Sequence, residues 1–143
     1  MIGAKVIGLG EIVIRVQDIA LLTDFYQHII GLELLHQRGK YTFFKIAEGY
    51  AGHDQILALF DVSIPTAFDE TKAAIQVNHT SLHHIALEID KVDYAPILRR
   101  LQQAGVETKT EVFEWVQWKS IFIRDPEMNI IEFVCFDHTI PKN

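Results

Sequence analysis

The sequence has 143 residues, 49% of them hydrophobic and 22% charged, and its formal net charge is −6. These values describe one globular domain over residues 1–143, large enough to bury its own core, and they exclude a disordered chain. Lysine and arginine do not cluster, which argues against a nucleic-acid partner, and no apolar run is long enough to cross a membrane. Because the single Cys135 cannot form an internal disulfide and the opening residues show no signal peptide, we expect a cytoplasmic protein.

The first predicted module covers about residues 9–60 and reads β-α-β-β-β. Residues 11–17 alternate between apolar and polar, which is typical of a strand with one polar face. Asp18 then supplies a helix cap, apolar residues recur at helical spacing, and Gly31 supplies the stop. The remaining elements of the module are predicted as strands over residues 32–37, 41–46 and 55–60.

The second predicted module covers about residues 82–136 and repeats the order β-α-β-β-β. Between the modules, residues 61–81 have no sustained period and are predicted as a connector, with a helical turn near residues 69–75. Residues 83–89 predict a strand, and the helix that follows, with Val92 and Leu101 on its apolar face, stops at Gly105. The remaining predictions are strands over 106–112, 117–124 and 129–136, and a tail over 137–143.

The last predicted strand contains one charged residue. Residues 130–136 are apolar on both faces, as in a strand buried on both sides, except for Glu132. An unpaired carboxylate there would cost several kcal/mol, so Glu132 must be neutralised, hydrogen-bonded or bound to a cation. A buried ion pair with Arg15 or Arg124 is one such solution, and a metal ion is another.

The two modules share their register as well as their element order. His84 lies 73 positions after Glu11, and Glu132 lies 74 positions after Ala58. We therefore predict an α+β fold in which two β-α-β-β-β modules pair their sheets into a curved, partly open barrel with helices outside. Three of these four matched positions carry ligands suited to a divalent cation, whereas alanine would leave coordination room for water or substrate.

Several motifs of this sequence resemble those of the vicinal oxygen chelate superfamily. The group includes glyoxalase I, bleomycin-resistance proteins, fosfomycin-resistance enzymes, methylmalonyl-CoA epimerase and extradiol dioxygenases. The resemblance covers residues 11–136, and its most specific part is the final hairpin. The motifs are Glu11-Ile-Val-Ile-Arg-Val-Gln-Asp18, Phe25-Tyr26, Gly31-Leu32, His84-Ile-Ala-Leu-Glu-Ile89 and Asp125-Pro-Glu-Met-Asn-Ile-Ile-Glu132.

The resemblance implies a divalent metal ion, such as Mn, Fe, Ni or Zn, held by Glu11, His84 and Glu132. The substrate would bind the metal through two neighbouring oxygens, Glu132 or Glu88 would act as the base, and the protein would be a homodimer. Family members often carry histidine in place of Glu11, and four-ligand members carry a ligand in place of Ala58. Both departures argue against a dioxygenase and against a glyoxalase I site with four protein ligands.

A substrate pocket is predicted beside this metal, because an aromatic wall that ends in a cation suits an organic anion or an oxygenated substrate. His83 is predicted to point away from His84 and to be structural. Two other functions stay open: a metal-free protein of the bleomycin-resistance type that binds a small molecule, and a structural module whose cavity is filled. The predicted pocket residues are Arg15, Phe44, Ala58, Trp118, Phe122 and Arg124.

Overall fold

The computed structural model describes residues 1–65, 67–68 and 82–143. The chain forms two compact units, residues 1–77 and 78–143, and each is described by itself. The helical turn predicted near residues 69–75 lies outside the described residues. Within the described part of the chain, no helix is long and apolar enough to span a membrane.

The first unit contains one four-stranded mixed sheet in the order β1-β4-β3-β2. The first and last strands of the unit pair in parallel, and the two other strand pairs are antiparallel. This is the β-α-β-β-β order that the sequence predicts. The strands are β1 (Glu11–Val16), β2 (Glu33–Arg38), β3 (Tyr41–Ala47) and β4 (Gln55–Asp61).

The helix of the first unit begins where the sequence predicts, but it changes type halfway. Asp18 caps α1 (Ile19–Asp24) by accepting a hydrogen bond from the Leu21 backbone N–H at 3.0 Å. A π-helical segment, Phe25–Ile30, continues the helix, and Gly31 ends it with a φ of 84°. The helix buries its apolar side chains against the sheet; the most deeply buried are Leu22 and Tyr26.

The second unit repeats this topology. Its sheet has the order β5-β8-β7-β6, and its first and last strands again pair in parallel. Identical strand order and pairing sense in both units confirm the predicted α+β fold of two β-α-β-β-β modules. The pairing of the two sheets into one barrel, and the single domain, stay predictions. The strands are β5 (Ile85–Glu88), β6 (Lys109–Phe113), β7 (Trp118–Arg124) and β8 (Ile130–Phe136).

The second helix is α2 (Tyr94–Gln103), and it is preceded by a 3₁₀ turn over Lys91–Asp93. Val92 was predicted on the buried face, which is wrong, because it lies in that turn and is 75% exposed. Leu101 is buried as predicted, and Gly105, with a φ of 74°, follows the end of the helix.

The hairpin turn between β7 and β8 is held by Asp125. One carboxylate oxygen of Asp125 accepts hydrogen bonds from the backbone N–H groups of Glu127 and Asn129, at 2.9 and 3.0 Å. The other oxygen accepts a bond of 2.8 Å from the Asn129 side-chain amide. These bonds explain why the turn needs Asp and Asn at its two ends. Strand β8 is buried or half-buried in its middle, whereas its end residues Ile130 and Phe136 are exposed, so the prediction of full two-sided burial is wrong at the ends.

A buried carboxylate also anchors the C-terminal tail. Asp137 Oδ1 lies 2.6 Å from Lys91 Nζ and accepts hydrogen bonds from the Thr139 backbone N–H and hydroxyl, at 3.0 and 2.6 Å. Two hydrogen bonds hold the pKa of Asp137 well below its ordinary value: the one from Lys91 has the largest effect, and the one from the Thr139 hydroxyl has the second largest. The folded state is therefore stabilised by the ionised form of this side chain.

Asp137→Asn should lower the melting temperature at neutral pH. Because the pKa of Asp137 is depressed in the folded state, its contribution is complete above the unfolded-state pKa, about 4, and disappears as the pH falls through the lower folded-state value. The wild type should therefore melt above the variant by the same margin at pH 7 and pH 5.5, and the margin should shrink below about pH 4. Thermal unfolding followed by circular dichroism measures this, and a margin that grows on acidification would contradict it.

Leu22→Ala should lower the free energy of unfolding by roughly 2–5 kcal/mol, because it deletes a fully buried side chain and leaves a cavity. The matched control is Leu21→Ala in the same helix, where the side chain is 49% exposed and the change should be about 1 kcal/mol or less. Urea denaturation of both variants measures the difference, and equal losses would show that the helix faces are assigned wrongly.

Candidate metal centre

The candidate centre lies in the second unit, where a histidine meets the buried carboxylate of β8. Glu132 is 5% exposed and lies opposite Phe122 of β7 and Ala86 of β5. His84 directly precedes β5, and its Nε2 lies 3.0 Å from Glu132 Oε2. The parallel pairing of β5 with β8 brings these two side chains together, as the repeat register predicts.

The second carboxylate oxygen of Glu132 has a different partner, the hydroxyl of Ser120 on β7. Ser120 is fully buried, and its Oγ donates a hydrogen bond of 2.5 Å to Glu132 Oε1. Arg124 is one of the two arginines considered as a partner of Glu132. Its guanidinium nitrogen instead lies 2.5 Å from a carboxylate oxygen of Glu107. The ion pair of Glu132 with Arg124 is therefore wrong: Arg124 lies opposite Ile130, two residues before Glu132 along β8, and its guanidinium group has an exposed partner in Glu107.

The orientation of His83 differs from the prediction. Its Nδ1 lies 2.7 Å from Nδ1 of His84, and the two rings are close to perpendicular, at 72°. The sequence predicts that His83 points away because neighbours alternate along a strand, but both histidines precede Ile85, the first residue of β5. Either ring nitrogen can be the donor in this contact, depending on the tautomers.

The pair fits a divalent cation in both distance and chemistry. Metal–nitrogen and metal–oxygen bonds of about 2.1 Å place two adjacent ligands about 3 Å apart, which is the separation of His84 Nε2 and Glu132 Oε2. An imidazole nitrogen and a carboxylate oxygen suit Mn, Fe, Ni and Zn. Across the residues that the structure describes, no group of three or more His, Cys, Asp and Glu side chains converges on one point. The described residues of the second unit thus bring together two candidate ligands, His84 and Glu132.

The other predicted acidic residues occupy exposed strand positions. Glu11 is the first residue of β1 in the first unit and lies opposite Ile56 of β4. Glu88 is the last residue of β5 and lies opposite Val134 of β8. Ligation by Glu11 and a role of Glu88 as a base stay predictions.

The aromatic ring beside the pair belongs to Phe122, which also lines an open cavity. The Phe122 ring lies 6.1 Å from the His84 ring at 78°, and Phe122 also lines a cavity of about 430 Å³. Trp118 is exposed and shares the strand face of Ser120 and Phe122, as predicted. Lys109 and Glu111 also line the cavity and were not predicted. Because side chains alternate between the two faces of a strand, their spacing on β6 could have revealed that they share a face. The lining residues are Glu107, Lys109, Glu111, Phe122, Ile123, Arg124 and Ile130.

In the first unit, the position that matches Glu132 is Ala58, and it is covered by aromatic rings. Ala58 is fully buried and lies opposite Val13 and Phe43. The Phe60 ring contacts those of Tyr41 and Phe43, at centroid distances of 4.8 and 5.9 Å. Alternation along β3 and β4 places these rings on the sheet face of Ala58.

Two further predicted pocket residues belong to the same sheet. Arg15 is half-buried on β1 opposite Phe60, so it shares the face of the aromatic rings. Phe44 is fully buried, and its ring lies 6.1 Å from that of Tyr26 in the helix. Its assignment to a pocket wall is wrong, because Phe44 points to the helix side of the sheet and its neighbour Phe43 occupies the opposite face.

Cys135 is not a candidate nucleophile. It is buried on β8, and desolvation raises the pKa of its thiol, so the protonated form predominates at neutral pH. Cys135 thus packs as a small buried apolar residue.

The family model described as Glyoxalase/Bleomycin resistance protein/Dioxygenase superfamily matches residues 8–133 of the chain. A comparison with curated proteins gave no significant match.

Several solved structures share the fold. The fosfomycin resistance protein FosX from Listeria monocytogenes is 21% identical with a TM-score of 0.66, covering 93% of this chain and 96% of its own. Lactoylglutathione lyase from Agrobacterium tumefaciens is 21% identical with a TM-score of 0.64, covering 90% and 92%. A variant of the Listeria FosX, complexed with Mn(II) and 1S,2S-dihydroxypropylphosphonic acid, has 21% identity and a TM-score of 0.63, covering 92% and 91%. At these identities the likeness shows the fold alone.

His84→Ala should destabilise the metal-free protein by about 1–3 kcal/mol, because it removes a partner from a buried carboxylate. Urea denaturation in the presence of a chelator measures this loss. The matched control, His138→Ala, changes an exposed histidine and should leave the free energy of unfolding within about 0.5 kcal/mol of wild type. Equal stabilities of the two variants would show that His84 does not stabilise Glu132.

Proposed function

Because this chain belongs to the Glyoxalase/Bleomycin resistance protein/Dioxygenase superfamily, we propose that it is a metal-dependent enzyme acting on a small oxygenated organic substrate. In this proposal Glu11, His84 and Glu132 hold a divalent cation, and the substrate binds that cation through two neighbouring oxygens. The observation that carries the proposal is the 3.0 Å separation between His84 Nε2 and the oxygen of a buried carboxylate.

The burial and charge of the pair favour a cation over a simple ion pair. Glu132 is enclosed in the sheet, yet the His84 side chain is 33% exposed, so the imidazole reaches the open side of the sheet. A cation there would be accessible to a substrate and would offset the charge of the buried carboxylate. Two carboxylates and one imidazole would leave coordination positions for oxygen ligands from the substrate.

When bound, the cation would act as a Lewis acid that stabilises negative charge on the substrate oxygens. The residues of this chain would bind and orient the substrate around it. Phe122 would pack against the organic part of the substrate, since its ring flanks His84 and lines the cavity. Glu88 would accept a proton from the substrate. We propose an isomerase, lyase or dioxygenase reaction, of which the dioxygenase is the least favoured because the proposed ligand set has only one histidine.

The proposed setting of the enzyme follows from the superfamily resemblance. We propose a homodimer in the cytoplasm that binds a small molecule and no nucleic acid. The Mn(II) in the FosX complex supports a divalent metal, and the lyase among the structures of similar fold supports an enzyme.

A second candidate function is metal-free binding of an aromatic or cationic small molecule. The observation that favours it is the group of rings formed by Tyr41, Phe43 and Phe60, on the sheet face where Ala58 replaces a carboxylate. Such rings bind planar ligands and cations without a metal. In this case His84 and Glu132 would serve only as a structural pair.

Elemental analysis of untagged protein, purified without chelator, tests the leading proposal. The wild type should contain close to one divalent metal ion per chain, and His84→Ala and Glu132→Ala should each lose most of it, because each removes a ligand. Glu11→Ala should weaken binding as well and would establish the third ligand. Circular dichroism verifies that each variant is folded.

The matched controls are His138→Ala and Glu114→Ala, which change exposed side chains of the same types and should retain the metal. A wild type that stays metal-free after incubation with Mn, Fe, Ni and Zn salts would contradict the enzyme and favour the binding protein.

A further inference from the structure

Both candidate ligands have a hydrogen-bond partner on the atom that faces away from the other ligand. Ser120 contacts Oε1 of Glu132, and His83 contacts Nδ1 of His84, while Oε2 and Nε2 face each other. We propose that His83 and Ser120 are positioning residues that orient the metal ligands His84 and Glu132. This inference rests on the proposed function, because it requires that the pair binds a metal ion.

Ser120 is suited to fix the carboxylate. The terminal torsion of a glutamate is broad, so a carboxylate without a fixed partner rotates and presents either oxygen. Ser120 is fully buried, its hydroxyl lies 2.5 Å from Glu132 Oε1, and its own carbonyl accepts a 3.2 Å hydrogen bond from the Tyr94 hydroxyl. The donor is thus anchored within the sheet, and Oε2 is the oxygen left to bind a cation.

His83 is suited to fix the imidazole with and without a metal. With its single hydrogen on Nε2, the His84 ring donates to Glu132, and its Nδ1 then accepts a hydrogen bond. A metal ion on Nε2 requires the hydrogen on Nδ1, which then donates. The single partner atom must therefore donate in one case and accept in the other. Nδ1 of a second histidine does both by changing tautomer, which a lysine or a carboxylate near neutral pH cannot do.

The charge of neither residue is needed for this role. Ser120 and the uncharged form of His83 can each orient a ligand by a hydrogen bond. Removing either residue should therefore change the orientation of His84 or Glu132 and the affinity of the site for the metal. Partners of this kind change metal affinity by about 10–100-fold when they are removed. A residue that only packs the core would change stability and leave the affinity of the folded protein unaltered.

The test uses Co(II), because this ion reports both affinity and ligand geometry. Competition with a coloured chelator gives the Co(II) dissociation constant of the full chain, and visible absorption gives the ligand-field bands. Ser120→Ala and His83→Ala should each weaken Co(II) binding by about 10–100-fold and alter the bands. Ser120→Thr and His83→Asn, which keep a hydroxyl or a group able to donate and accept, should recover most of the affinity.

Two matched variants separate positioning from stability. Thr42→Val removes a fully buried hydroxyl that bonds Thr23 in the first unit, and His138→Ala removes an exposed histidine. Thr42→Val should lower the melting temperature, and both should keep the Co(II) affinity and spectrum of the wild type.

The outcomes distinguish this inference from the proposed function. If the wild type binds Co(II) and folded Ser120→Ala and His83→Ala bind it equally well with unchanged bands, the positioning role is overturned and the metal enzyme stands. If the wild type binds neither Co(II) nor the metals tested above, the proposed function is overturned, and this inference with it. Should Ser120→Ala fail to fold, the pair His83→Ala and His83→Asn decides the outcome.

Discussion

The second unit depends on the placement of one carboxylate, that of Glu132, in the middle of an apolar strand. Burial removes water from its two oxygens, so the protein must supply a partner for each of them. Ser120 from β7 and His84 from the start of β5 do so, at 2.5 and 3.0 Å. The neighbouring strands on both sides of β8 are therefore tied to the same side chain. A polar group that would otherwise destabilise the sheet therefore has a partner on each of its oxygens.

The duplicated topology explains why these particular residues meet. In each unit the first strand pairs in parallel with the last: Glu11 lies opposite Ile56, two residues before Ala58, and Ala86, two residues after His84, lies opposite Glu132. The second unit has His84 and Glu132 at these positions. The first unit has Glu11 and Ala58, and aromatic rings occupy the face where a second carboxylate would lie. The two units share the same strand order and pairing. At the matched position of the last strand, the second unit has a carboxylate and the first unit has an alanine beside aromatic rings.

Individual side-chain partners were harder to predict than elements. Arg124 is the last residue of β7, five turn residues before β8, and has the right charge for Glu132, yet it pairs with Glu107, since an exposed ion pair costs arginine less desolvation. His83 was assigned by strand alternation, which does not apply before the strand begins. Phe44 and its neighbour Phe43 are chemically identical, so only the direction of β3 against the helix decides which of them is core.

The sequence by itself determined the order of the elements, the repeat, the turn at Asp125 and the conclusion that Glu132 needs a partner. These follow from local periodicity, turn chemistry and the cost of burying a charge, which are properties of short segments. Only the tertiary structure decided which partners Glu132 has, that His83 contacts His84, and which aromatic residues face the helix. The partners of Glu132 and the buried aromatic residues depend on elements distant in sequence that the sheet and helix bring together, and the contact of the adjacent His83 and His84 depends on a backbone that is not yet a strand.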